Sequence, residues 1–207
     1  MRTQTFISSM VGIAAAVAVA GSANASVTLD FATVNTPDGG VPDGYGGFNW
    51  GSAGGTNPGV LTQAYFSTTY GQASGIGTAS SQILYNGGTS IPTTASWLGL
   101  GGPTISLEQM VVGRDWPLIG ASASTQLTIT GYKASVLVGT QVVNQTGSNQ
   151  TVTFSGGFGD IDKFVITTTA GGTYWFGGEI QFSVVPAPGA VALLGAAGLV
   201  GARRRRA

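Results

Sequence analysis

Eight carboxylates carry most of the reactive chemistry open to this 207-residue chain, because it has neither histidine nor cysteine. Without histidine there is no Ser-His-Asp relay and no imidazole-ligated zinc. Without cysteine there is no thiolate nucleophile, thiolate metal site or disulfide. What remains is paired-carboxylate chemistry, as in glycoside hydrolysis, and hard oxygen ligation of calcium. Asp160 and Asp162 flank Ile161, and strand alternation puts both on one face. Such a like-charged pair could raise one carboxyl pKa for acid catalysis or bind a cation. The setting favours a plainer role, a turn and a solvated strand start. Asp30 and Glu179 lie in the first and last strand-like segments, which often pair in jelly rolls. Converging there with loop carbonyls, they would hold a structural Ca²⁺; solvated edge-strand acids are the alternative.

Aromatic side chains offer a second chemistry, stacking on the apolar faces of sugar rings. Tyr45, Phe48 and Trp50 share a glycine-rich stretch, with Trp97, Trp116, Tyr174 and Trp175 beyond. Large aromatics usually fill a core, and Trp50 and Trp97 read that way. Tyr45 and Trp116 read as loop residues and are the candidate ligand contacts; Trp116 follows Arg114-Asp115 and precedes a proline. The run Asp43-Gly44-Tyr45-Gly46-Gly47 is not a phosphate loop, since no lysine and no helix follow it.

The elements that must position these groups lie between two unlike ends. Met1 to Ala25 carries Arg2, an apolar stretch from Met10 to Ala20, and Ala23-Asn24-Ala25, the small residues a signal peptidase reads. The expected mature chain starts at Ser26. At the other end, Val185-Pro186-Ala187-Pro188-Gly189 precedes an apolar run from Ala190 to Ala202 and then Arg203, Arg204, Arg205 and Arg206. Thirteen helical residues span about 20 Å against a hydrocarbon core of about 30 Å. The five Val and Leu residues of that run contribute a total on the order of −2 kcal/mol to insertion. A brief tether removed after use fits that weak anchor better than a permanent span.

With the ends set aside, the body from 26 to 184 keeps three bases against eight acids, a net −5. Nucleic acid is therefore excluded as a partner. The 35 glycines punctuate rather than dissolve the fold, because Val, Ile, Thr and aromatics form strand-like runs between them. Those runs predict strands over Val27–Phe31, Gly47–Trp50, Leu61–Phe66, Gln82–Tyr85, Ala95–Leu100, Ile105–Val112 and Thr125–Ser135. Further strands are predicted over Gln141–Gln145, Gln150–Ser155, Lys163–Thr168 and Tyr174–Val184. Inward positions are Leu127, Ile129, Gly131, Val152, Phe154, Phe164, Ile166, Ile180, Phe182 and Val184. Many short strands with no helical period predict an all-β antiparallel sandwich or jelly roll. A signal helix and a short C-terminal membrane helix would flank it.

The end carrying Pro186, Pro188, the apolar run and the arginines resembles the PEP-CTERM sorting signal of bacterial surface proteins. Ala187 stands where that family usually has glutamate. The resemblance implies recognition and cleavage by an exosortase-type protease, after transient anchoring in the inner membrane. It also implies delivery to the cell surface or an exopolysaccharide matrix. The body is similar to galactose-binding-like jelly rolls that often precede such tags. The similarity lies in Leu29-Asp30-Phe31, Pro42 to Trp50, Leu127 to Tyr132, Gly159 to Phe164 and Gly178 to Phe182. Related domains commonly hold a structural calcium near Asp30 and Glu179, which the resemblance extends to this chain. The expectation is a non-enzymatic exported surface protein with no catalytic residues. Its partners would be signal peptidase, an exosortase and extracellular polysaccharide. The alternative is a carbohydrate-binding module, with a two-carboxylate glycoside hydrolase behind it.

Overall fold

Alternating β-branched and aromatic residues form strands here because one side of each pleat is buried and the other is wet. A computed structural model describes residues 25–34, 39–52, 57–62, 68, 83–86, 92–113, 124–146, 149–187 and 189. Its strands are β1 (Ser26–Leu29), β2 (Gly39–Gly40), β3 (Phe48–Ser52), β4 (Gly59–Leu61), β5 (Ile83–Tyr85) and β6 (Thr93–Trp97). They continue as β7 (Thr104–Gly113), β8 (Ser124–Lys133), β9 (Val136–Asn144), β10 (Gln150–Thr153), β11 (Lys163–Gly171) and β12 (Phe176–Val185). Short 3-10 turns cover Tyr45–Gly47 and Gly156–Phe158.

The chain is an all-β antiparallel sandwich. One sheet runs β10-β7-β12-β5-β4-β2, with β1 also paired to β12; the other runs β3-β6-β11-β8-β9. Phe48, Trp50, Leu127, Ile129, Phe164 and Ile166 face Leu29, Ile105, Leu107, Met110, Val112, Ile180 and Phe182 across the interior. The inward residues predicted from alternation are buried, except Val184, which packs half-buried against the core.

Strand ends depart from expectation for local reasons. β1 stops at Leu29 because Phe31 takes a positive φ of 59°. Asp30 therefore lies just past the strand, where its Oδ1 accepts the Ala32 N–H at 3.0 Å. β6 stops at Trp97, since Gly99 and Gly101 turn the chain at φ 78° and 81°. Leu98 and Leu100 are left exposed instead of continuing the strand.

The return strand β9 begins at Val136, five residues earlier than predicted, because Ala134 and Ser135 form a tight hairpin turn. Their φ values are 48° and 67°, a left-handed pair for which Asn-Gly is the favoured sequence. L-residues there cost about 1–2 kcal/mol each, less in a turn anchored as this one is. Changing Ala134→Asn together with Ser135→Gly is therefore expected to raise stability by about 1–2 kcal/mol. The readout is a higher urea midpoint at an unchanged denaturant slope.

Candidate functional site

Both chain ends leave the sandwich from one side. Ser26 pairs with Ser183 on β12, and β12 ends two residues later at Val185, opposite Thr104 of β7. Ala25 is exposed just before β1, and Pro186 follows β12 half-buried. At this exit end the Thr104 hydroxyl hydrogen-bonds Asp160, which forms an ion pair with Lys133 at the end of β8. Asp162 Oδ2 accepts the Ala134 N–H at 2.6 Å. Its own main chain joins Tyr132 at 2.9 Å and Trp97 at 2.7 Å. Lys163 lies over the Tyr132 ring, 4.5 Å from its centroid. A polar network thus runs from the exit strand to the β8–β9 hairpin tip.

The sequence places Asp160 and Asp162 on one face, and the structure gives each a separate anchoring task. Ile161 between them is fully buried and bridges Ile105. The Lys133 ammonium, then the Thr104 hydroxyl, hold the Asp160 carboxyl below its ordinary 3.8, with burial opposing them. Folding therefore favours the ionised form. The stabilisation is whole above the unfolded value and is lost as pH falls through the lower folded one. Both side chains are about half exposed (48 % and 49 %), which limits the effect to at most about 1 kcal/mol. Asp160→Asn should lower the urea midpoint at neutral pH, and the difference from the parent should vanish at the acid end of a pH series.

Asp30 follows Leu29 and Glu179 precedes Ile180, and Leu29–Ile180 is the last pair of the β1–β12 ladder. Ca²⁺ takes six to eight oxygens. Among the described residues no group of three or more acids gathers, and one Asp30 oxygen already serves Ala32. These side chains alone do not fit a calcium ion. Ile180, the neighbour of Glu179, pairs with Met110 on β7, six residues from the Thr104 that Asp160 contacts. At about 3.3 Å per residue that is roughly 20 Å, beyond the separation of glycosidase carboxylates.

Tyr45 is half-buried, stacked on Phe31 with centroids 5.4 Å apart, and its carbonyl accepts the Trp50 Nε1–H. Trp50 is core, while Trp97 packs against the core and donates Nε1–H to the Gly102 carbonyl. Trp116, Ala23, Pro188, Arg203, Arg204, Arg205 and Arg206 lie outside the described residues, as does the apolar run 190–202. Among the described residues no helix is long and apolar enough to cross a membrane.

The opposite end holds two glutamines that sequence reading did not single out. Gln145 is 5 % exposed, and among the described residues neither its Nε2 nor its Oε1 has a hydrogen-bond partner; the same holds for Gln150 Oε1. Both face inward by alternation with Val143 and Val152. Tyr174 lies parallel to Phe176 at 6.2 Å, and Tyr85 stacks on the same ring at 6.4 Å. Two inward glutamines flanking one short connection were the available signal.

No protein-family model and no curated protein matches the chain. Among solved structures, a mutant lectin binding domain of Lectinolysin complexed with Lewis b is 13 % identical at a TM-score of 0.36. That likeness covers 50 % of this chain and 72 % of the other. The family 32 CBM of C. perfringens NanJ in complex with galactose is 15 % identical at 0.33, covering 49 % and 74 %. The Streptococcus pneumoniae fucose binding module SpX-3 is 16 % identical at 0.30, covering 51 % and 72 %.

Proposed function

We propose that this chain is an exported, non-enzymatic surface protein whose sandwich is led out by signal peptide 1–25 and held briefly in the inner membrane by segment 185–207. An exosortase-type protease then releases it into the extracellular polysaccharide layer. The observation that carries this reading is the common exit. Ser26 and Val185 lie at one end of the sandwich, an arrangement compatible with apolar segments on either side of the body meeting one bilayer. Support also comes from the order of prolines, short apolar run and four arginines, and from a body without histidine or cysteine. The test replaces Arg203 to Arg206 with glutamine and follows processing in cells by pulse-chase. The expected result is accumulation of a precursor; processing at the parental rate contradicts the reading.

A second reading, a carbohydrate-binding module, is favoured by the half-buried Tyr174 and Tyr85 rings stacked on Phe176 at the far end. Such rings suit a sugar face. Protein recovered from cells and applied to a glycan array would bind in this case, and Tyr174→Ala would abolish the signal while leaving the urea midpoint nearly unchanged. An array blank for the parent protein removes this reading and leaves the first standing.

A further inference from the structure

We infer that the exit end of the sandwich is a bilayer-contacting face, resting on lipid headgroups while the tether is in place. The inference builds on the sorting reading above.

Single exposed apolar residues are ordinary on protein surfaces, so their placement is what matters. Among the described residues seven large hydrophobics are exposed, and five of them gather at this end. Leu98 and Leu100 stand on the β6–β7 turn at 51 % and 60 % exposure, and Val136, Leu137 and Val138 follow the hairpin tip at 63 %, 54 % and 41 %. Their location is fixed by contacts. Gly101 and Gly102, next to Leu100, lie against Val184 and Val185 of the exit strand. The hairpin tip is tied through Lys133 and Asp160 to Thr104, the partner of Val185.

The length of the tether supplies the occupant. Residues 186–189 separate Val185 from the apolar run that starts at Ala190. Four residues reach at most about 14 Å when fully extended. The headgroup layer is itself about 5–7 Å deep on each side. While residues 190–202 are in the bilayer, this end cannot move clear of the lipid surface. Its chemistry suits that place. Apolar side chains stand beside Lys133 and Lys163, whose long stems add apolar surface to the same end. Lys133 is paired with Asp160, and Asp162 offsets Lys163, so the face meets lipid through its apolar side chains rather than through net charge.

The native chain has no cysteine, so one probe can be placed at will. The full chain carrying Leu100→Cys, labelled with an environment-sensitive fluorophore, is reconstituted into phosphatidylethanolamine–phosphatidylglycerol vesicles. A second sample carries the probe at the far end, as Thr173→Cys. The expected result is several-fold brighter emission at position 100, quenched by spin-labelled lipid, with a water-like signal at 173. Water-like signals at both positions, in chains that resist carbonate extraction, overturn the inference and leave the tether reading intact. Chains that wash off in carbonate overturn the tether reading and the inference together. Shielding of position 100 in native membranes but not in lipid vesicles assigns the face to a protein and also overturns the inference.

Discussion

Phe48→Ala is expected to cost about 3–5 kcal/mol, the range for deleting a large aromatic from a packed core. Phe48 is fully buried, and its ring lies 5.6 Å from Trp50, 5.2 Å from Trp97, 5.7 Å from Phe164 and 5.1 Å from Phe182. Trp50, Trp97 and Phe164 belong to its own sheet, while Phe182 comes from the facing one. Removing the hub therefore unties the two layers, and the edge-on ring contacts add to the area term. A domain of this size has only about 5–15 kcal/mol in total, so the variant should unfold at a far lower urea concentration. Val142→Ala, on the exposed face of β9, should stay within about 0.5 kcal/mol of the parent. Equal losses for the two variants would refute the assignment of the core.

The second large effect is at a glycine. A Cβ on Gly157 would overlap the carbonyl of Val138 and press on the Cα of Gly139, both main-chain atoms of β9. β9 cannot retreat, because it is laddered to β8 along its length. Gly131 and Gly139 are paired across those strands, and Phe158 packs on the flat spot they leave. Gly157→Ala is expected to cost about 3 kcal/mol or more, above the common range for overpacking because no side chain can yield. Its neighbour Gly156 has open space around the same added atom and only a positive φ of 62° to lose. Gly156→Ala should cost about 1 kcal/mol. Urea denaturation of the two variants side by side separates steric exclusion from backbone strain.

How far the sequence foretells this arrangement depends on which rule governs each residue. Period-two alternation announces Leu127 and Ile129 on β8 and Phe164 and Ile166 on β11, and the two strands pair in register. The pairing of the first and last strands, expected from the jelly-roll likeness, is present as β1 against β12. The hairpin at Ala134 and Ser135 is illegible, because neither residue favours a positive φ and the conformation is imposed by Asp162 and the ladder. The Lys133–Asp160–Thr104 network joins residues far apart in the chain, and only the register that places Thr104 near Ile161 brings them together. Leu98 and Leu100 look like strand residues by composition. The positive-φ glycines after each of them decide otherwise.

The proposal stands on transient attachment, with cleavage at both ends of the body. Intact-mass measurement of the protein recovered from the cell surface addresses it most directly. The account predicts a polypeptide starting at Ser26 and lacking everything beyond about Pro188, with any surplus mass reporting what has been joined to the new terminus. A species retaining both the first 25 residues and Arg203 to Arg206, found free in the cytosol, would contradict it.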